Sequence, residues 1–258
     1  MNFSSSTPTV GIAVITLNEA DRVPALLQSV SFADEVVVVD SGSGDATCDI
    51  CKAAGARVVE HTWEGFAAQK QFAQELLSTD WVLNLDADER MSRSLGAEIR
   101  KALQNVSPDV EAFSMPRLSR YLGRWIRHGG WYPDRKIRLV RKGCGQWSGD
   151  GLHEKLEVSG KVQALSNPLL HEVYRDIADQ VHTINRFSGI HAENHVSSGY
   201  WFLAAGVLHA IGKFLECYLW KLGFLDGGVG LVIAMNSAWY VFLKHAKTWE
   251  KGEMSSSS

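Results

Sequence analysis

The chain has 258 residues, of which 45% are hydrophobic, and a formal net charge of −3. This length allows one large buried core with or without an appendage, and the slight negative charge argues against general nucleic-acid binding. The polar start, Met1 to Thr9, lacks the basic and apolar regions of a signal peptide, so we expect the catalytic part to stay in the cytoplasm.

The first part of the chain alternates predicted strands and helices. The predicted strands are Val10–Thr16, Glu35–Val39, Arg57–Glu60 and Trp81–Leu85; the predicted helices run from Asn18 to Val30, from Asp45 to Gly55, from Phe66 to Leu77 and from Ser92 to Gln104. Strands spaced by helices of this length indicate βαβ units and a mainly parallel sheet. Ligands bind such a sheet beyond the carboxyl ends of its strands.

Polar clusters follow three of these predicted strands. They are Thr16-Leu17-Asn18-Glu19, Asp40 and Asp86-Ala87-Asp88. Two carboxylates one residue apart at a strand exit can share Mg²⁺ or Mn²⁺, which keeps positions open for the oxygens of a substrate diphosphate. About one Asp-x-Asp is expected by chance in a chain this long. The position of all three clusters at one edge of one sheet is therefore what predicts a site.

Cys48 and Cys51 form a Cys-x-x-Cys pair, a spacing that redox and zinc sites also use. They lie on a predicted helix, and no second Cys or His pair stands at metal spacing in the sequence. We interpret both as packing residues.

The composition changes after Ser107-Pro108-Asp109. Between Arg117 and Lys142 there are nine Lys or Arg residues and one acid, interleaved with Tyr121, Trp125, Trp131 and Tyr132. This pattern fits a solvated face, and it also fits a sugar-phosphate partner, because aromatic rings stack on sugars and arginines grip phosphate. Single-stranded nucleic acid uses the same residue types, but the acidic clusters upstream argue against it.

Tyr200–Trp249 is the most apolar part of the chain. The run Gly227–Leu243 is almost wholly apolar, with Trp239 and Tyr240 near its end and Lys244 beyond it. A run of this length is marginal for a membrane span. Trp, Tyr and Lys at the edges of apolar helices suit the membrane interface, which is the interpretation we favour. A core or dimer surface and a true span are the alternatives.

Three strings carry a family resemblance: Val14-Ile15-Thr16-Leu17-Asn18-Glu19, the stretch from Val37 to Thr47 (VVVDSGSGDAT), and Leu85-Asp86-Ala87-Asp88-Glu89. Together they resemble the inverting family-2 glycosyltransferases with a GT-A fold. The form of these motifs, with Arg138-Leu139-Val140-Arg141, His153-Glu154 and the stretch from Phe224 to Gly230 (FLDGGVG), is similar to the bacterial lipopolysaccharide-core glucosyltransferase branch.

The resemblance implies roles for individual residues. The residues implied to bind the nucleotide-sugar donor are Thr16, Asn18, Glu19, Asp40, Asp45, Lys70, Asp86 and Arg138. Asp88 is implied to be the main ligand of a Mg²⁺ or Mn²⁺ cofactor, and Asp86 to contact the ribose or metal-bound water. The catalytic base falls at His153-Glu154, where the family usually has an acid beside another acid. We take Glu154 as the base, and His153 is the alternative; a polar turn without a catalytic role is the third interpretation.

The predicted protein is an α/β enzyme with a GT-A type nucleotide-diphospho-sugar transferase fold. Residues 1–107 form the nucleotide-sugar-binding half, 108–199 the acceptor-binding and base half, 200–249 a membrane-associating helical segment and 250–258 a tail. The donor is expected to be a UDP-sugar, the transferred group glucose or another hexose, and the acceptor a glycolipid such as the lipopolysaccharide core. The enzyme would work peripherally on the cytoplasmic face of the inner membrane, and an oligomer is possible. The alternatives are a nucleotidyltransferase, which would need a Gly-rich basic loop in place of Leu17-Asn18-Glu19, and a catalytically silent membrane-docking protein.

Overall fold

A computed structural model describes residues 7–149, 154–195 and 197–256. The chain divides into two compact units. Unit 1 comprises Met1–Arg117 and Asp134–His171, and unit 2 comprises Leu118–Pro133 and Glu172–Ser258. The segment 118–133 therefore belongs to unit 2 although both of its neighbours in the sequence belong to unit 1.

Unit 1 contains the alternating strands and helices. Its elements are β1 (Val10–Thr16), α1 (Val23–Ser29), β2 (Glu35–Asp40), α2 (Thr47–Ala53), β3 (Arg57–Glu60), α3 (Phe66–Glu75), β4 (Trp81–Asp86), β5 (Glu89–Met91), α4 (Arg93–Gln104), β6 (Val110–Tyr121), β8 (Asp134–Arg141), β9 (Gly145–Ser148), β10 (Lys155–Val158), β11 (Lys161–Ala164) and β12 (Leu169–Glu172). The last residues of β6 and β12 continue into unit 2.

The main sheet has the strand order β3-β2-β1-β4-β8-β6-β12-β5. Strands β3, β2, β1 and β4 are parallel, β8 is antiparallel to β4, and β6 is antiparallel to β8. In this register Thr16 lies beside Asp40, and Ile15 lies beside Asp86. The predicted α/β fold is confirmed, and the carboxyl ends of β1, β2 and β4 are neighbours at one edge.

Both faces of the parallel strands are covered. Val38 points into a core with α1, α2 and α4, whereas Val37 and Val39 point into the core on the α3 side. A strand buried on both faces needs apolar residues at every position, which explains the valine run. Cys51 packs in the first of these cores, and burial raises the pKa of its thiol to about 11, so packing is its role there.

The start of α1 differs from the prediction. Asn18 was expected to cap a helix beginning at once, but its backbone lies in the left-handed region with φ of 55°, and α1 begins only at Val23. Pro24 occupies the first turn of the helix, where its missing N–H costs no hydrogen bond. The residues between Thr16 and Val23 form a loop over the sheet edge instead.

Unit 2 is mainly helical. It contains β7 (Arg124–Trp125), α5 (Ile177–Glu193), α6 (Tyr200–Leu215), a π-helix (Glu216–Trp220), a 3₁₀-helix (Gly223–Asp226) and α7 (Gly227–Ser256). The α7 helix runs past the predicted boundary at Trp249, so residues 250–256 continue the helix.

Helices α6 and α7 pack against each other as an antiparallel pair, which we call the helical hairpin. A Cβ atom on Gly206 would lie 2.5 Å from the Cβ of His245, so only glycine allows this approach. His209 Nδ1 lies 3.1 Å from His245 Nε2 at the same crossing. Close helix packing therefore needs the small residue on α6 opposite the histidine on α7.

The turn end of the hairpin explains the Phe224–Gly230 motif (FLDGGVG). A Cβ atom on Gly230 would overlap the carbonyl oxygen of Gly223, which makes that glycine obligatory. The buried Asp226 carboxylate accepts hydrogen bonds from the backbone N–H groups of Arg127 and His128, at 3.2 and 2.9 Å. The motif thus ties the start of α7 to the segment 118–133 within unit 2.

Two helical stretches, Tyr200–Trp220 and Gly223–Met254, are long and apolar enough to cross a membrane by length and composition. Only 11% and 22% of their apolar windows are buried in the protein. A core helix of a soluble domain would be mostly buried, so these low fractions fit the predicted membrane-associating segment.

Candidate functional site

Asp40, at the end of β2, organises the loop that follows it. Its buried carboxylate accepts hydrogen bonds from Thr16 Oγ1 (2.8 Å), the Gly42 N–H (3.0 Å), and both the N–H (2.7 Å) and Oγ (2.6 Å) of Ser43. Burial alone would raise the pKa of Asp40, but the hydrogen bonds from Ser43, Thr16 and Gly42 outweigh it and lower the pKa. The ionised carboxylate therefore anchors the Gly42-Ser43 turn to the end of β2.

The loops after β1 and β2 are bonded to each other. The Asn18 N–H donates to Ser43 Oγ, and the Asn18 Oδ1 accepts from the Gly44 N–H, both at 2.8 Å. The Glu19 N–H donates to Thr47 Oγ1 at 2.8 Å. The left-handed Asn18 backbone is what turns the chain to make these contacts.

Asp45 joins the same loop contacts. Its carboxylate accepts hydrogen bonds from the N–H groups of Thr47 and Ala20, at 3.0 and 3.2 Å, and its bonds to Thr47 lower its pKa. The structure thus brings together the five residues predicted around the nucleotide, namely Thr16, Asn18, Glu19, Asp40 and Asp45.

Asp86, the last residue of β4, lies between two cations. Lys70 Nζ is 2.7 Å from one carboxylate oxygen, and Arg138 Nη2 donates to the other. Burial opposes ionisation of Asp86, but the charges of Arg138 and Lys70 prevail and hold its pKa well below the usual range. Both oxygens of this carboxylate are therefore engaged by protein cations.

Glu89 is a site residue that the sequence analysis did not single out. It is fully buried, with Oε1 2.8 Å from Arg138 Nη2 and Oε2 accepting the Asp86 N–H at 3.1 Å. Burial would lower the pKa of Arg138, but Asp86 and Glu89 raise it. The signal for Glu89 was present as the fourth residue of Asp86-Ala87-Asp88-Glu89.

Glu154 forms an ion pair with Lys70, which also binds Asp86. Lys70 Nζ donates to Glu154 Oε1 at 3.0 Å and also lies 4.8 Å from the ring centroid of Trp147. Lys70 thus bridges Asp86 and the predicted base. His153, the alternative base, lies outside the described residues, so the choice between the two neighbours stays a prediction.

Trp147 is positioned by buried polar side chains. Its Nε1 donates to Asn84 Oδ1 at 3.3 Å, and the Asn84 side-chain amide donates to Gln74 Oε1 at 3.0 Å. Sequence reasoning missed all three residues. The one available signal was Asn84, the polar residue inside the apolar run Trp81-Val82-Leu83-Asn84-Leu85.

Asp88 pairs with two residues that do not belong to the Asp86 cluster. Its Oδ2 lies 3.4 Å from His171 Nε2 and 3.9 Å from Arg22 Nη1. Across the residues that the structure describes, no group of three or more His, Cys, Asp or Glu side chains could hold a metal alone. A carboxylate and an imidazole are nevertheless suitable donors for Mn²⁺, and Mg²⁺ is commonly held by one or two carboxylates plus substrate phosphates. Asp88 and His171 therefore fit a cation that takes its other ligands from the donor.

The basic and aromatic segment is partly structural. Tyr121 is buried, packs against Trp131 and Tyr174 at centroid distances of 5.9 and 5.7 Å, and donates its hydroxyl to Gln180 at 2.6 Å. It offers no ring face for stacking on a sugar. Arg117 pairs with Asp134 at 2.7 Å. Several of these residues thus stabilise the fold rather than present a binding face.

A family model described as "Glycosyl transferase family 2" matches residues 11–151, more than half of the chain. A lipopolysaccharide core biosynthesis glycosyltransferase of Rhizobium meliloti is 30% identical over 92% of this chain and 91% of its own length. An uncharacterized glycosyltransferase of Rickettsia typhi is also 30% identical, over 92% of this chain and 85% of its own length.

Solved structures give looser similarities. A glucosyl-3-phosphoglycerate synthase from Mycobacterium tuberculosis, in complex with Mn²⁺, uridine diphosphate and glucosyl-3-phosphoglycerate, has a TM-score of 0.36 with 23% identity over 44% of each chain. S. aureus TarS has a TM-score of 0.45 with 15% identity over 70% of this chain and 39% of its own. At these scores neither structure provides a residue-by-residue correspondence.

Proposed function

The chain belongs to glycosyl transferase family 2 and is a nucleotide-sugar glycosyltransferase; on that premise we propose that it transfers a hexose, glucose in the first instance, from a UDP-sugar to a hydroxyl of a lipopolysaccharide-core or similar glycolipid. One observation carries the proposed chemistry. Glu154, Lys70, Asp86 and Arg138 are linked by direct ion pairs at the carboxyl end of β4. A base, two cations and an orienting carboxylate at one strand end suit transfer from a diphosphate leaving group.

The donor half of the site comes from the loops after β1 and β2. Asp40 and Asn18 hold these loops in a fixed conformation, so the nucleotide would meet a surface that needs no ordering on binding. Lys70 and Arg138 supply positive charge for the diphosphate. Asp86, held between them, keeps both cations in place and would contact the ribose or metal-bound water.

Asp88 and His171 are the residues that would hold Mg²⁺ or Mn²⁺. When bound, the cation supplies charge stabilisation for the departing nucleoside diphosphate. Asp86 was expected to share the cation with Asp88 or to contact the ribose or metal-bound water, and its two oxygens bind Lys70 and Arg138. We therefore assign the larger share of cation binding to Asp88.

Inversion requires a single in-line displacement at the anomeric carbon. The acceptor oxygen forms the new bond as the bond to the diphosphate breaks, and Glu154 takes the hydroxyl proton. Lys70, 3.0 Å from Glu154, orients that carboxylate. The enzyme would work as a peripheral protein on the cytoplasmic face of the bacterial inner membrane, where a glycolipid acceptor is held.

The test is a panel of nucleotide sugars in two assays. Bound donor raises the unfolding temperature by mass action, so a UDP-hexose with Mn²⁺ should protect more than other nucleotide sugars. The same donor should then give transfer to lipopolysaccharide-core acceptor. Protection by a donor other than a UDP-sugar would change the nucleotide that we assign to the donor. Transfer to soluble sugars alone would reject the glycolipid acceptor.

A further inference from the structure

Both helices of the helical hairpin present large apolar side chains to solvent. On α6 and the π-helix these recur at helical spacing, and three residues of α7 recur every four positions. We call this set the apolar face: Trp201, Leu208, Ile211, Leu215, Leu219, Leu231, Met235 and Trp239, each more than 40% exposed. A patch of this size on a protein surface marks an interaction site.

Other protein segments cover a different side of α7 along most of its length. Near its start, Ile233 packs against Tyr121 and Ile126 of the segment 118–133. Further along, Asn236 donates to Gln180 of α5, and Lys247 Nζ donates to the Asn185 carbonyl oxygen at 2.6 Å. From residue 229 to residue 247 the helix rises about 27 Å, close to the thickness of a bilayer's hydrocarbon core.

The outer surfaces of these covering segments carry charged and polar side chains among a few exposed apolar ones. Arg124 and Arg127 are exposed on the segment 118–133, and His182 and Arg186 are exposed on α5. If the hairpin crossed a bilayer, these charged and polar groups would lie at hydrocarbon depth beside α7. Charged groups at that depth are costly unless they face protein or water. The hairpin is therefore apolar on one side only. It does not have the apolar surface on all sides that a membrane-spanning helix pair needs.

We propose that the hairpin lies flat in the headgroup region of an anionic membrane, with the apolar face inserted and both ends on the same side of the bilayer. This inference deepens the peripheral membrane association of the proposed function and rests on it. A helix that lies in the membrane interface buries only its apolar face in lipid. The hairpin fits this arrangement, because one side is apolar and exposed and the other side is covered by protein.

Aromatic and basic residues identify lipid as the occupant of this face rather than a second copy of the chain. Trp201 and Trp220, near the two ends of the α6 stretch, are 82% and 87% exposed, and tryptophan favours the lipid–water boundary. Lys213 lies in the last turn of α6 and Lys221 directly follows the π-helix, and both pair with Glu216. Of the other acids of the hairpin, Asp226 is buried and accepts backbone hydrogen bonds, and Glu253 accepts the Gly199 N–H at 3.1 Å. Glu250 is exposed at the far end of α7, next to Lys251 in the sequence.

Side-selective labelling tests the orientation. Cys48 and Cys144, the two cysteines that are not buried, are first changed to serine. Single cysteines are then introduced by Lys221→Cys at the turn end of the hairpin and by Glu250→Cys at its far end. An impermeant maleimide should label both positions in inverted inner-membrane vesicles and neither in intact spheroplasts. Labelling of one end from each side would show a span and overturn the proposal.

Vesicle binding tests whether the apolar face inserts into the membrane. With phosphatidylethanolamine–phosphatidylglycerol vesicles, Leu208→Glu with Leu219→Glu should weaken binding of the full chain by at least about tenfold. The matched control, Val181→Glu with Ile190→Glu, adds the same charge at exposed apolar positions of α5 and should change binding less than about twofold. Equal losses in both double variants would show that charge rather than insertion matters.

Donor hydrolysis and thermal protection by the UDP-sugar are measured in the same proteins. A wild-type chain that turns over donor but stays in the soluble fraction would overturn the docking proposal alone. Loss of donor binding as well would count against the proposed function.

Discussion

The sheet edge of unit 1 and the hairpin of unit 2 are built by opposite means. At the edge, charges are bound to one another: Asp86 lies between Lys70 and Arg138, and Lys70 also binds Glu154. On the hairpin, large side chains such as Trp201 and Leu208 face solvent. Directional bonds depend on single atoms, whereas apolar burial is roughly additive over area. One substitution should therefore disable the first region and only weaken the second.

The largest effect should come from Glu154→Gln, which keeps the shape of the side chain and removes its basicity. We expect turnover to fall by roughly 10²–10⁴ while donor affinity is kept. Glu157→Gln, on the exposed side of β10, is the control and should retain activity. If His153→Ala is crippling and Glu154→Gln is mild, His153 is the base.

Asp88→Ala should lower transfer by at least about a hundredfold, because the cation loses its carboxylate ligand. The variant should stay folded, as judged by its unfolding temperature. Asp49→Ala, on the exposed surface of α2, provides a control of the same charge. Activity above a few per cent of wild type at saturating Mn²⁺ would contradict the assignment of Asp88.

Asp40→Asn should weaken binding of the nucleotide donor by about 10–100-fold, since hydrogen bonds to a charged group contribute about 1.5–3 kcal/mol. Titration of donor into the purified variant measures this, and acceptor affinity should hardly change. Equal damage to donor and acceptor affinity would mean that Asp40 supports the whole fold rather than the nucleotide loop.

Asn84→Leu should lower the free energy of unfolding by about 1–3 kcal/mol, because the Trp147 indole N–H and the Gln74 side chain would be left without their buried partner. Urea denaturation measures the change. Gln163→Leu, on the exposed strand β11, should alter stability by less than about 0.5 kcal/mol. A neutral Asn84→Leu would show that this polar network adds no stability.

Trp201→Ala should have the smallest effect, weakening vesicle binding by no more than about tenfold, since one side chain is a small part of the inserted area. Its catalytic turnover on a soluble acceptor analogue should not change. A complete loss of membrane binding would remove the contrast between the two regions, because it would make Trp201 a single anchoring residue.

Much of unit 1 was predictable because its signals are local. The valine run of β2 and the polar residues after β1, β2 and β4 predicted a sheet and its ligand edge. Asn18 was misjudged because Asn caps helices and also adopts left-handed conformations, and only the bonds to Ser43 and Gly44 decide between them. Glu89 was missed because its ion pair is with Arg138, 49 residues away, and Trp147 because its partner Asn84 is 63 residues away.

The placement of the segment 118–133 in unit 2 has a consequence for dividing the protein. The chain passes between the units at 117/118, 133/134 and 171/172, so no single cut separates them. Removing the hairpin would expose Tyr121 and Ile126, which pack against Ile233. A hairpin exchanged between relatives must therefore bring its own copy of 118–133. In this chain the smallest transferable module is discontinuous in sequence.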